Sequence, residues 1–504
     1  MSRSPVSLSP LWLVYITFSL LPGNSTPAES HHILGLFVNV HRSQLMVHLA
    51  VCQALLQKGH HLTLVTTLPL EEQELRGNVT HILIPWKQPA EEDEQGSSSD
   101  LILSLQRMFG RLKRSGDLLE LPEWKQFLES EPHSYDLLLL GYHFNDHLLG
   151  VAAHFNCPVA IITTQQPTGF VNSLMGNPEE RCYVPQPYDS HQRRGVSAWL
   201  FGIWEKLVEM LARKVLAGIY SLHFPEPRYP SFETMRRSVV LALNNHHMIS
   251  EGPIAPLMPN MVDIGGIVLE QKLNETRREI LPSNRSLIIF SLGTRFTWRK
   301  SSQKLLQTFT TAFSQYSDYE IYWTYDGPNM SSIRTGFPHL KIAKWWPQCH
   351  LLGSGKARLF ITHGGKGSLS EALYYGVPLL GLPLLGDQRA NLQKMQSKNW
   401  GFTLTTHNLT HFELSKAMYL ILTHPIYAES ILKASQVYRD RPMKSSDLAT
   451  YWIEYIIRHK GSKILYNPAR HLSIIEYYSI DVYLTIYGGL VLTIIMIRKL
   501  NRLL

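Results

Sequence analysis

The residues with the most chemical content lie between Trp345 and Gln388, in the segment WWPQCHLLGSGKARLFITHGGKGSLSEALYYGVPLLGLPLLGDQ. Its apolar run over residues 357–362, ARLFIT, is short, bounded by turn residues, and reads as a buried strand. His363-Gly364-Gly365 breaks that run, and residues 368–375 have helical composition with Ser368 placed as the cap. A helix that starts after a glycine-rich turn offers unpaired backbone N–H groups and the positive end of its dipole. Together they hold a diphosphate without a metal ion. His363 can add a side-chain donor to such a cradle, with Gly365 and Ser368 on its rim. Glu371, one turn inside, can accept from ribose hydroxyls. Asp387 and Gln388, expected at the end of a strand over 377–385, can fix sugar hydroxyls. Trp345 and Gln348 can stack on and hydrogen-bond to a uracil. Each of these has a plainer reading by itself: the glycine pair as a turn, the tryptophan as core, the histidine as structural. As a set they suit recognition of a sugar nucleotide.

Such a set must be carried by strands and helices in alternation. From His32 the sequence predicts strands over 33–39, 62–66, 81–85, 135–140, 159–163 and 239–244, with helices over 44–57 and 199–219. The acidic and serine-rich stretch 91–100 reads as a solvated loop. Pro253, Pro256 and Pro259 then interrupt the pattern, and 274–286 is polar, so the interdomain linker is placed at 256–286. A second β–α series follows from Leu287. This alternation predicts parallel sheets covered on both faces, with ligands bound beyond the strand C-termini. The first strand carries no GxGxxG, which argues against a dinucleotide-dependent oxidoreductase.

From Trp345, the intervals to Gln348, His363, Glu371, Asp387 and Gln388 match the UDP-glycosyltransferase signature. The segment resembles that family, above all its membrane-bound insect and vertebrate members. The likeness extends to residues 289–294 (IFSLGT), where Ser291 and Thr294 would approach the phosphates. It also covers 438–444 and 451–459, similar to the segment that crosses back after the donor domain, and 59–63 (GHHLT), similar to the loop into the second strand. The resemblance implies an α/β fold of two facing, doubly wound Rossmann-like domains, the GT-B architecture, plus a C-terminal transmembrane helix. The acceptor domain would cover 31–255, the UDP-sugar domain 287–440 and the return segment 441–480. It further implies inverting transfer of a hexose from a UDP-sugar to a small lipophilic acceptor, with no metal and no cofactor beyond that donor. Glucose and glucuronate both remain open, glucose being preferred on the insect likeness.

In that family a histidine after the first strand is the general base and a carboxylate near the fourth strand orients it. The family pattern Ser-His-x-x-x-His reads Ser43-Gln44-Leu45-Met46-Val47-His48 here, so Gln44 holds the base position. An amide accepts no proton at neutral pH. Counting from Asp136 puts Gly141 at the carboxylate position. The substitute bases within reach are His41 and His143. His48 is expected in packing, and His60 and His61 in a loop. Two functions of different class follow: a transferase with a substitute base or an easily ionised acceptor, and a non-catalytic member that binds UDP-sugar or a hydrophobic ligand or partners an active relative.

The chain has 504 residues, enough for two or three domains, and a net charge of +8 that is spread out, so nucleic acid is not an expected partner. Residues 1–25, with Arg3 before an apolar run at 11–21, read as a secretory signal. Residues 482–497 read as a membrane span flanked by Tyr477, Tyr478 and Tyr483, with a short basic cytosolic tail at 498–504. A buried core helix is the alternative. Asn24, Asn78, Asn274, Asn284, Asn329 and Asn408 begin glycosylation sequons. These features predict a single-pass type I protein of the endoplasmic reticulum membrane with a lumenal body. Cys52, Cys157, Cys182 and Cys349 show no metal-ligand spacing; one bridge among them is left open, and so is the oligomeric state.

Overall fold

The computed structural model describes residues 29–503 except 39–40, 72–73, 87–100, 130–133, 181–182, 185, 187–192, 194, 275–284, 295, 329, 385 and 462. The signal read over 1–25, the loop at 91–100, Cys182 and the sequons at Asn24, Asn284 and Asn329 lie outside the described residues. The first sheet holds β1 (His32–Phe37), β2 (His61–Thr66), β3 (Val79–Leu83), β4 (Leu137–Gly141), β5 (Val159–Thr163), β6 (Val239–Asn244) and β7 (Met261–Asp263). The second holds β8 (Leu287–Ser291), β9 (Glu320–Thr324), β10 (Leu340–Ala343), β11 (Ala357–Thr362), β12 (Leu379–Gly381) and β13 (Gly401–Thr403). Their orders are β3-β2-β1-β4-β5-β6-β7 and β10-β9-β8-β11-β12-β13, and each pairing is parallel. The central strands read LLLLG, VAIIT and LIIFS and are buried throughout, because helices cover both faces and leave no solvent side for polar residues.

In each sheet the strand order reverses at one place, between β1 and β4 in the first and between β8 and β11 in the second. Loops leaving such neighbours diverge to opposite faces and open a crevice at the strand C-termini. The helices include α1 (Arg42–Gln57), α2 (Gly195–His223), α3 (Ile267–Asn274), α4 (Lys366–Tyr375), α5 (Gln388–Ser397) and α6 (Ser445–Arg458), and the chain ends in α7 (Ile480–Leu503).

β5, β6 and β11 have the bounds that the sequence predicts. Three readings are corrected. The strand expected over 377–385 shrinks to Leu379–Gly381, because Pro378 and Pro383 have no N–H for the ladder. The helix expected from Ser368 starts at Lys366, with Gly365 as its N-cap, because Gly364 turns the chain at φ +84°. The stretch read as linker opens with β7, hydrogen-bonded to β6 in the first sheet, and continues as α3.

α6 returns to the first domain. Its Ala449, Ile453 and Ile456 share one apolar core with Leu45, Leu49 and Cys52 of α1. Glu270 of α3 caps it, accepting from the N–H groups of Ser445 at 2.7 Å and Ser446 at 2.9 Å. His60, in the loop before β2 as expected, is buried against it, with Nε2 3.1 Å from Glu454 Oε1, whereas His61 belongs to β2 rather than to the loop. Residues Ile480–Arg502 of α7 are long and apolar enough to cross a membrane and are not buried by the rest of the chain. At about 1.5 Å per residue the helix runs roughly 36 Å, against a hydrocarbon core of about 30 Å. Cys52, Cys157 and Cys349 are free thiols, and the Asn78 and Asn408 side chains are exposed.

Candidate functional site

The second crevice gathers the residues expected to hold the donor. Ser291 ends β8 and Thr362 ends β11, paired in register at the reversal point. Ser291 is buried and its Oγ accepts from Gly293 N at 3.4 Å; Thr294 follows, exposed. His363 lies between the two loops: a Cβ on Gly293 or on Gly365 would collide with its ring. Both positions therefore require glycine, and Gly293 also has φ +79°. Burial pushes the His363 imidazole down to about 4, so it is neutral and donates through one ring nitrogen. α4 starts directly behind it with no side-chain cap, leaving first-turn N–H groups open toward the crevice. Ser368 stands in that first turn.

Trp345 is 70% exposed beyond β10, free to stack on a planar ligand. Its neighbour Trp346 is the structural one of the pair, with Nε1 donating to Trp323 O at 3.2 Å and its ring edge-on to Tyr322. Gln348 opens the helix Gln348–Gly353 and donates to Glu371 Oε2. The other oxygen of Glu371 accepts from Lys272 of α3 at 2.8 Å. Asp387 and Gln388 begin α5 rather than ending a strand. Asn391 ties Asp387 to the glycine turn, donating to Asp387 Oδ2 at 2.8 Å and to Gly364 O at 3.3 Å. Gln388 is buried and accepts from Leu384 N at 2.8 Å. Sequence reasoning missed Lys272 and Asn391: both are common surface residue types, and only the folded chain brings them to Glu371 and Asp387.

It also missed a lysine cluster between the domains. Lys366, Lys394 and Asp387 line one cavity with His246 and Glu251 of the first domain. Lys366 is ion-paired with Glu251. Lys394 donates to Gln166 Oε1 at 3.3 Å and Gly252 O at 3.1 Å, with no carboxylate partner among the described residues. Burial, then the charge of Lys398, brings Lys394 down to about 8. A buried ammonium bonded only to neutral oxygens attracts an anion.

Gln44 and Gly141 lie in the first crevice, in the first turn of α1 and at the end of β4. The Gln44 side chain turns back on its own helix, with Oε1 accepting from His41 N at 2.9 Å. Gly141 ends β4, and its O accepts from Asn145 Nδ2 at 2.9 Å. The space a side chain at 141 would enter is filled by the His48 ring. His48 stacks on Phe37 and meets His143 edge-on at 6.1 Å between ring centroids. Neither nitrogen of His48 has a partner among the described residues, and burial followed by the neighbouring His143 holds it far below its ordinary value. Burial and the charge of nearby His41 lower His143 to about 4. His41, His143 and His48 thus gather around a position that carries no carboxylate.

The family model described as UDP-glucoronosyl and UDP-glucosyl transferase matches residues 151–503. The chain belongs to this family. It is 31% identical to human UDP-glucuronosyltransferase 2B17 over 272 residues, 53% of this chain and 50% of that protein. Over 502 residues it is 26% identical to rat UDP-glucuronosyltransferase 1A1, covering 94% of this chain and 90% of that one. The UDP-glycosyltransferase UGT5 of Dactylopius coccus is 27% identical over 359 residues, 69% of this chain and 67% of its own. The chain thus spans about half the length of the first curated relatives it matches. Among solved structures, a glycosyltransferase of kitacinnamycin matches at a TM-score of 0.58 and 15% identity, over 86% of this chain and all of that one. The calicheamicin glycosyltransferase CalG4 matches at 0.56 and 17%, over 85% of this chain and 99% of that one. At these identities the likeness is of fold: this UDP-glycosyltransferase family member has the GT-B architecture, two parallel Rossmann-like sheets.

Proposed function

We propose that this family member moves a uronic acid from its UDP donor to small lipophilic acceptors whose nucleophile is already ionised or ionises easily. The acceptor attacks the anomeric carbon from the side opposite the diphosphate, and the configuration inverts. Trp345 and Gln348 take the uracil, Glu371 the ribose, and Ser291, Thr294, His363 and the α4 terminus the diphosphate, whose developing charge these donors stabilise without a metal. Asp387 and Gln388 take the sugar hydroxyls. The observation that carries the reading is the contrast between the crevices: the donor side is assembled around His363, while Gln44 and Gly141 offer the acceptor no base. His143 lies against His48, whose ring fills the space at Gly141. Held near 4, it is a poor base for an alcohol, whereas a carboxylic acid or acidic phenol needs little help. Lys394, which lines one cavity with Asp387 and donates only to neutral oxygens among the described residues, favours a uronate over neutral glucose. We place the body in the lumen of the endoplasmic reticulum, behind α7 as the anchor.

The test is product formation in microsomes carrying the full chain, with UDP-glucuronate or UDP-glucose against carboxylic acids, acidic phenols and aliphatic alcohols. Turnover is expected with UDP-glucuronate and the acidic acceptors, to be lost in His363→Ala. Lys394→Ala should erase the preference for the uronate. Equal use of aliphatic alcohols would contradict the acceptor class. The filled space over Gly141 favours a second reading, a binder of UDP-sugar; UDP binding with no turnover on any acceptor would select it.

A further inference from the structure

The loop that follows β6 brings another imidazole to the domain interface, two strands along the first sheet from Gly141. The main chain of His246 is fixed on both sides: its N–H donates to Asn244 O at 2.7 Å, and its O accepts from Gly265 N at 2.9 Å. Gly265 packs so close that a Cβ there would stand 2.5 Å from His246 C, so only glycine fits. The ring is buried, and neither nitrogen has a hydrogen-bond partner in good geometry among the described residues. A buried polar group left unpaired is costly, and a ring packed only for structure ordinarily finds a partner.

Two cavities meet at this ring, and His246 and Gln166 line both. One, of about 580 Å³, reaches the second domain and holds Lys366, Asp387 and Lys394. The other, of about 480 Å³, belongs to the first domain and is walled by Pro167, Pro178, Met248, Pro253, Pro256 and Leu257, an apolar set suited to a lipophilic molecule. A carboxylate stands beside the ring. Glu251 ends the short helix Met248–Glu251, and its Oε2 lies 3.2 Å from His246 Nδ1. Lys366 of α4 pairs with the same oxygen and holds it from the second domain. The imidazole and the carboxylate are not aligned as a hydrogen bond, which is common where substrate is absent. A carboxylate at one ring nitrogen fixes the tautomer that leaves the other free to accept a proton, and it steadies the imidazolium that forms.

We propose that the acceptor occupies the first-domain cavity and gives its proton to His246, with Glu251 as the positioning residue. The proposal rests on the transferase reading, in which Asp387 and Lys394 take the sugar on the other side of the ring. The acceptor O–H bond breaks toward His246 Nε2 while the acceptor oxygen bonds to the anomeric carbon. The bond from that carbon to the diphosphate oxygen breaks, and UDP leaves with the electron pair. The imidazolium then returns its proton to water. Burial, then the charges of Lys366, Lys394 and Lys398, hold the ring well below its ordinary value, while the Gly252 carbonyl acts in the opposite sense. The ring therefore enters the reaction neutral and is a weak base, matched to acidic phenols rather than aliphatic alcohols.

The full chain in microsomes, given UDP-glucuronate and substituted phenols of rising pKa, tests this. His246→Gln should lower kcat about 100-fold or more while UDP binding stays unchanged, the loss growing with the pKa of the phenol. Glu251→Gln leaves the imidazole in place. It should lower kcat roughly tenfold at unchanged KM for the phenol. It should also move the acid limb of the pH profile to lower pH, because the ring loses the charge that favours its protonated form. Glu251→Asp should recover part of the rate. Native kcat in His246→Gln would overturn the proposal and leave the transferase reading standing. Should His246→Gln no longer bind UDP, Glu251→Gln decides, and an unmoved acid limb overturns the proposal. A loss in His143→Gln with none in His246→Gln would give the proton to His143 instead. An unmodified chain that turns over no phenol with UDP-glucuronate or UDP-glucose would remove the transferase reading and the proposal together.

Discussion

A Cβ built on Gly141 at the end of β4 would stand 2.7 Å from Cε1 of His48 in α1, so the imidazole occupies the volume that a carboxylate at 141 would need. Glycine at 141 and histidine at 48 are therefore one packing unit. Gly141→Ala should cost about 1–3 kcal/mol of stability, as overpacking does, and His48→Ala should recover most of that cost in the double variant. Denaturant unfolding of the four chains gives the coupling; strictly additive costs would contradict the arrangement. By the same contact, Gln44→His with Gly141→Asp should regain alcohol-directed transfer only when His48→Ala is added.

His363 touches both glycine loops of the second crevice, so those glycines govern its position. Gly293→Ala should reduce UDP affinity at least tenfold, about 1.4 kcal/mol, by displacing the ring. His363→Ala should reduce it similarly, and the two together by little more than either alone. Isothermal titration with UDP measures all three. A Gly293→Ala chain with native affinity would mean that the ring position does not matter for the donor.

Glu371 is buried and held by Gln348 and Lys272 from two different elements. Removing the carboxylate in Glu371→Ala leaves the Lys272 ammonium without it and should cost roughly 1–3 kcal/mol, the lower end reflecting the partial exposure of Lys272. Lys272→Met, which keeps the aliphatic stem, should cost less while still weakening UDP binding, because Glu371 loses the cation that orients it. Thermal unfolding with and without UDP separates the two effects.

Stability should fall on mild acidification. His143, His147 and His363 are held near 4 by burial, against about 6.5 in an unfolded chain. Below pH 6.5 the unfolded state binds protons that the native state refuses. Their contribution is therefore complete above 6.5 and is lost as pH falls through the window toward 4. Each histidine accounts for roughly 1–3 kcal/mol across that window. Melting temperatures at pH 7.5 and 5.0 should differ by several degrees, and His147→Phe should flatten the slope without touching either crevice. A pH-independent melting temperature would rule this out.

The donor signature and the β–α rhythm were legible because both are local. Continuous apolar runs such as VAIIT declare a doubly covered strand, and the intervals from Trp345 to Gln388 belong to one strand–turn–helix unit. Ends of elements were less legible where proline or a left-handed glycine decides them, as at Pro378, Pro383 and Gly364. Gln44 and Gly141 could be read along the chain, yet what surrounds them could not. That His48 fills the space, that Gln44 bends back to the His41 amide, and that Lys272 reaches Glu371 over 99 residues are long-range facts. So is the facing of Lys366 and Lys394 with Glu251 and Gly252 across the interdomain cavity. By itself the sequence determined the family and the layered sheets, and it named the residues that gather in the second crevice, because short-range periodicity and spacing encode them. The tertiary structure alone decided the first crevice, because its shape and charge come from side chains that meet only after distant loops are brought to the same strand ends.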